Sequence, residues 1–114
     1  MRGEMLCAMP GSKRHLRFRA LRGLRDKARG LLRTDDDARP VALCGCSSIH
    51  TLGMRYPIDV AFVARNGRVV DARRGVPPGR VLAAPGAHYV LERPLSDDPW
   101  PCKGSWLAIA DVAS

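Results

Sequence analysis

Aromatic residues are scarce in this chain: Trp, Tyr and Phe occur twice each and together make 5% of the 114 residues. The core must therefore be built mostly from Val, Leu, Ile, Ala and Met. No window approaches the roughly 18 apolar residues that a membrane span needs. Met5 to Met9 is too short an apolar run for the core of a secretory signal. Cys7, after Met5-Leu6, lacks the apolar stretch that precedes a lipoprotein cleavage site. Cysteine is sparse as well, and Cys7, Cys44, Cys46 and Cys102 do not make a dense disulfide framework. The expectation is a soluble, cytoplasmic protein with reduced thiols. The G-x-S-x-G, Walker, G-x-G-x-x-G and H-E-x-x-H patterns are all missing, which removes the commonest enzyme classes.

What is present fits one globular domain. Hydrophobic residues make 46% and charged residues 26% of the chain, proportions that argue against wholesale disorder. The length is near the common domain size. The net charge of +8 is unevenly placed. Residues 1–34 carry ten Lys or Arg against Glu4 and Asp26, giving +8, while residues 35–114 carry nine of each sign, giving zero. A basic segment of this kind is attracted to any polyanion or to an acidic partner. In a chain with sixteen Arg and three Lys, it also reads simply as a solvated face.

Along the chain the periodicities are mostly those of strands. Residues 1–14 read as a loose start with a turn at Pro10-Gly11-Ser12. Residues 15–20 alternate polar and apolar, as a half-buried strand does. Leu21, Leu24, Ala28, Leu31 and Leu32 then fall on one helical face, opposite Arg22, Arg25, Arg29 and Arg33. Gly23 and Gly30 each weaken that helix by about 1 kcal/mol, so the expected element is short, over residues 24–32. After the polar loop at 34–40, Val41 to Cys44 reads as a buried strand. Pro57, which has no N–H for a ladder, suits the start of the next strand, over 58–64. Asn66-Gly67 favours a type I′ hairpin turn into a partner strand over 69–74. A loop over 75–86, interrupted by the apolar piece 80–83, leads to a strand over 87–92 that Pro94 ends. A last strand occupies 105–111. Short strands divided by Pro and Gly turns, with one short N-terminal helix, predict a mainly β domain: a sandwich or a small barrel.

The richest chemistry lies between Ser48 and Val63, where His50, Thr51, Arg55 and Asp59 stand close together in sequence. Asp59 is flanked by Ile58 and Val60 and should point to the face opposite theirs. A strand carboxylate is costly to bury unless paired or hydrogen-bonded. Asp59 is therefore expected either to fix the turn, by accepting backbone N–H groups or pairing with Arg55, or to serve a ligand as anchor or general base. His50, as an imidazole, is a candidate base, ligand or metal donor and Arg55 can clamp an anion bidentately, whereas Thr51 has no adjacent base to make it a nucleophile. Cys44-Gly45-Cys46, with His50 four residues on, invites a metal reading, since C-x-C on a strand puts both sulfurs on one face. A structural zinc site usually wants four ligands at other spacings, and the fourth would come from afar, for instance Cys102, His88 or Asp59. No metal and no cofactor is assigned.

The run Cys46-Ser47-Ser48-Ile49-His50-Thr51-Leu52-Gly53-Met54-Arg55-Tyr56-Pro57-Ile58-Asp59-Val60-Ala61-Phe62-Val63 resembles the domain-of-unknown-function family DUF192. Arg29-Gly30-Leu31-Leu32, Asn66-Gly67-Arg68-Val69-Val70 and Tyr89-Val90-Leu91-Glu92 extend the resemblance over roughly residues 16–111. It implies a compact, jelly-roll-like β domain with one short helix near the start, and no established activity. Many relatives carry an aromatic-Met-Lys-Asn segment in place of His50-Thr51-Leu52-Gly53, and relatives often sit behind export signals. The resulting expectation is a single domain, 1–114, acting as a binding or accessory module with a polar site at His50, Thr51, Arg55 and Asp59. The alternatives are an enzyme using the same cluster, with Asp59 as acid or base and Arg55 as anion clamp, or a polyanion binder. The latter would act through residues 13–33, with Arg17, Arg22, Arg25, Arg29 and Arg33 as its contacts.

Overall fold

The computed structural model describes residues 3–9, 15–22 and 38–112. They form nine strands: β1 Glu4–Ala8, β2 His15–Leu21, β3 Val41–Cys44, β4 Ser48–His50, β5 Ile58–Val63, β6 Val69–Val76, β7 Val81–Ala83, β8 Tyr89–Pro94 and β9 Ala108–Val112. Among the described residues there is no helix, and so none long and apolar enough to cross a membrane. The helix expected over 24–32 lies outside the described residues.

Seven strands make one mixed sheet in the order β6-β5-β8-β3-β2-β1-β9, and β4 pairs with β7 as a separate ribbon. Neighbours in the sheet run antiparallel except β2 and β3. The sheet curls until its edges meet. Arg68 bridges Trp106, Val69 N–H donates to Ser105 O at 2.8 Å, and Leu107 N–H donates to Gly67 O at 2.8 Å. Closing the edges in this way removes unpaired backbone at that end.

Each strand sends alternate side chains to opposite faces, and the two faces collect separate apolar clusters. One cluster draws on the sheet from β1 to β6 and includes Met5, Phe18, Ala42, Ala61, Val69, Leu91 and Leu107. A cluster supplied from both edges must be the concave interior. The other, with Leu21, Val41, Val60, Phe62 and Val90, is the convex face, over which Ile49 and Leu82 of the ribbon pack. The strands β3 and β5 are buried along their whole length, which explains why both, Asp59 apart, read as apolar runs.

Several expectations change in detail. Residues 4–8 are not loose: they pair with both β2 and β9. Met5 and Cys7 are fully buried in the interior, which is what holds this segment in place. β8 starts later and runs further than 87–92, from Tyr89 to Pro94, and Pro94 pairs with Ile58 as its last residue. The β5–β6 hairpin has a three-residue connection rather than a type I′ turn. Gly67 N–H donates to Ala64 O at 2.9 Å and Ala64 N–H to Arg68 O at 2.8 Å, with Gly67 at φ +96°. That pattern is a type I turn closed by a left-handed residue, the commonest three-residue solution.

Candidate functional site

Asp59 comes from the middle of the sheet and points inward, on the same side of β5 as Ala61 and Val63. Its cross-strand partner on β8 is Arg93, so the register alone brings carboxylate and guanidinium together. Arg93 Nε donates to Asp59 Oδ2 at 2.9 Å, and both side chains are buried, at 7% and 0% exposure. The remaining carboxylate capacity goes to backbone. Gly75 N–H donates to Oδ1 at 3.0 Å and Ser96 N–H to Oδ2 at 3.3 Å. The ion pair of Asp59 is thus with Arg93, 34 residues away, and not with the nearby Arg55.

Arg93 in turn ties down the segment after β8. Its terminal nitrogens donate to Pro99 O at 3.1 Å and to Asp98 O. Arg74, from β6, donates to Ser96 O and Asp98 O of the same segment. Trp100 then turns into the concave interior of the sheet: its Nε1 donates to Val60 O at 3.1 Å, and its ring meets Phe18 edge-on at 6.1 Å. The Arg93 guanidinium lies 4.4 Å from the Trp100 ring centroid, a cation–π contact in a place sheltered from water.

Beside this assembly the wall is incomplete. β3 begins at Val41, opposite Arg19 and Glu92, whereas β2 begins four residues before Arg19 and β8 continues to Pro94. A cavity of about 290 Å³ occupies the resulting gap. Leu16, Phe18, Pro40, Leu95 and Trp100 supply apolar walls, the buried Arg93 a polar one. Arg17, mostly exposed and paired with Glu4 at 3.2 Å, belongs to its mouth.

The other expected site residues lie elsewhere. Thr51 is buried and acts as a staple: its N–H donates to Arg80 O at 2.7 Å, and its Oγ1 donates to Pro77 O and accepts from Arg80 N–H, each at 2.8 Å. His50 is exposed on the outer side of the ribbon, paired with Val81. Arg55 is exposed in the segment between β4 and β5. His50 and Asp59 therefore do not share one site: the ribbon covers the convex face, and Asp59 projects from the concave one. Nor do the two sulfurs of Cys44-Gly45-Cys46 share a face. Cys44 belongs to the interior cluster and Cys46 packs against the convex one, because Gly45 turns the chain at φ +75°. Among the described residues, no group of three His, Cys, Asp or Glu is placed to hold a metal ion.

Two residues carry the polar interior without having been singled out from the sequence: Arg93 and Trp100. Arg93 was detectable in principle, since it shares the parity of the core residue Leu91 and so must point inward. Glu92, the residue before Arg93, faces the convex side and is only 5% exposed. Burial pushes its carboxyl up from 4.5 to about 7. Burial likewise pushes the Cys7 thiol up to about 12, so Cys7 is an unreactive core residue.

No protein-family model and no curated protein matches the chain. Two crystal structures share its fold. One is from Sinorhizobium meliloti 1021, provisionally described as a transcription regulator; it superposes with a TM-score of 0.71 at 12% identity, covering 97% of this chain and 94% of its own. The other is a protein of unknown function from Novosphingobium aromaticivorans DSM 12444, with a TM-score of 0.65 at 20% identity, covering 93% of this chain and 83% of its own. At these identities the likeness is one of fold.

Proposed function

We propose that this chain is a small β-barrel binding module of DUF192 type, and that it holds a compact organic ligand in the gap between β2 and β8. The observation that carries the reading is the cavity of about 290 Å³ walled by Leu16, Phe18 and Trp100 around a buried guanidinium. Binding sites for small molecules are typically apolar clefts with a few fixed polar groups, and here the polar group is held in place by Asp59. The ligand class that matches is an aromatic or alicyclic ring with one acceptor group directed at Arg93 or Arg17. Asp59 serves this site as the anchor of Arg93, not as an acid or base, because its oxygens already accept three hydrogen bonds. The curled sheet favours the small-barrel form of the fold over a jelly-roll sandwich.

Benzoate and cyclohexanecarboxylate are suitable probes. In a ¹⁵N-resolved NMR titration, the Trp100 indole N–H should shift saturably while that of the exposed Trp106 stays put. Leu16→Phe, which fills the cavity, should abolish the shift without lowering Tm. Equal, non-saturating drifts of both indoles would remove the reading. A second reading, polyanion binding, has support in the charge excess of residues 1–34 and in the description of the S. meliloti structure. Phosphate contacts must weaken steeply with salt; nucleic-acid affinity that stayed flat from low to physiological ionic strength would end it.

A further inference from the structure

Two arginines line the cavity between β2 and β8, and their charge balance differs. Arg93 is the inner one. Its charge is already matched by the buried carboxylate of Asp59 at 2.9 Å. Of the five N–H groups of a guanidinium, three are committed here, one each to Asp59, Pro99 O and Asp98 O. The Trp100 ring lies against the same guanidinium. A carboxylate brought up to Arg93 would be a second buried anion for one buried cation, and an uncompensated buried charge is costly. The inner wall therefore suits an apolar ring, with N–H groups left for a neutral acceptor at most.

Arg17 is placed differently. It stands at the mouth, with its side chain 62% exposed. Its partner Glu4 belongs to β1, on the side of β2 away from the gap, so the ion pair at 3.2 Å draws the guanidinium back across the sheet. Glu4 also holds Arg39 at 3.3 Å. Arg39 lies between Ala38 and Pro40, both of which line the cavity. Arg19 N–H fixes that segment beside β2 by donating to Pro40 O at 2.9 Å. Arg17 and Arg39 thus flank the mouth and share the single carboxylate of Glu4, which leaves one positive charge unmatched. Asp98 is the acid in the lining, and Arg74 brings a cation beside it by donating to its carbonyl. Ion pairs as exposed as those of Glu4 contribute little and are readily exchanged.

Taking the cavity as the ligand site proposed above, we infer that its ligand class is a ring carboxylate, with the ring against Phe18 and Trp100 and the carboxylate at the mouth on Arg17 and Arg39. Glu4 is then the specificity-determining residue. It occupies both arginines until a ligand arrives, so an anionic ligand binds by exchange with Glu4, and a neutral ligand gains nothing from the mouth.

The test compares benzoate with benzamide, which has the same ring and no charge, by following the Trp100 indole N–H of the full chain in NMR titrations. At low salt benzoate should bind about two- to fivefold more tightly than benzamide. That preference should shrink as sodium chloride is added, because charges this exposed are screened. Glu4→Gln, close to isosteric, should raise benzoate affinity about two- to fivefold and leave benzamide unchanged. Arg17→Gln combined with Arg39→Gln, both at exposed positions, should bring benzoate down to the benzamide value. A benzoate preference that survives this double variant assigns the carboxylate to Arg93 and overturns the inference. So does a Glu4→Gln protein in which both probes, or neither, bind more tightly. Equal binding of the two probes to wild type overturns it as well and leaves the cavity reading standing, whereas no saturable indole shift with either probe removes both.

Discussion

Asp59 accepts hydrogen bonds from Gly75 N–H, Ser96 N–H and the Arg93 guanidinium, and with 0% exposure it presents no oxygen to a substrate. Its worth lies in stability. Breaking a buried pair by removing one charge costs more than the pair itself contributes, because the other charge is left stranded. Asp59→Asn keeps an oxygen for Gly75 but leaves Arg93 unneutralised. We expect a loss of about 3 kcal/mol, seen as a Tm roughly 10 °C lower. Asp59→Asn combined with Arg93→Met should be less destabilised than the sum of the single variants, measured by urea unfolding. An Asp59→Asn protein as stable as wild type would instead return the residue to a functional role. The sequence disclosed half of this. A strand aspartate with inward parity had to be satisfied, and the choice between backbone donors and an arginine was visible. The identity of the arginine was not, because it depends on the β5–β8 register, and Arg55 is nearer in the chain.

At the level of elements, Gly67 is where local turn chemistry and long-range closure meet. Its φ of +96° suits glycine, and a Cβ built there would lie 2.2 Å from the Leu107 carbonyl oxygen. The constraint is therefore double: a side chain is strained by its own backbone and collides with the strand edge that meets β6 across the curled sheet. Gly67→Ala should cost upwards of about 2 kcal/mol. Hydrogen exchange should show the loss locally, with the Val69 and Leu107 amides deprotected before those of β3 and β8. Equal deprotection everywhere would mean that the closure is not a separate cooperative unit. Asn66-Gly67 announced the hairpin from sequence, since the pair is a strong turn signal, but the choice between two and three connecting residues rests on β6 register and not on the turn residues. The strand β1 was harder to see. Glu4 to Ala8 is short, and it is a strand only because β2 and β9 flank it on both sides. The ribbon β4–β7 was hidden for a similar reason: each of its strands has three residues, too few for a period to show.

Taken as a whole, the molecule buries one carboxyl on its convex face that gains nothing from being charged there, and this couples global stability to pH. The folded-state value of Glu92 is raised from 4.5 to about 7 by burial, so between those values the folded protein binds more protons than the unfolded chain. Stability then falls as pH rises. The sign is clear at the limits: below 4.5 both states are protonated and Glu92 contributes no penalty, while above 7 the folded state must carry a desolvated carboxylate. The penalty between pH 5 and pH 8.5 should reach about 2–3 kcal/mol. Other carboxylates titrate too, so the quantity to measure is the difference in unfolding free energy between wild type and Glu92→Gln, at both pH values, in chloride with an amine buffer. Wild type should lose stability relative to the variant across that range. Parallel curves would mean that the Glu92 carboxyl reaches water in the folded protein. In that case the convex face is open to solvent at this point, and burial has no hold on the Glu92 carboxyl.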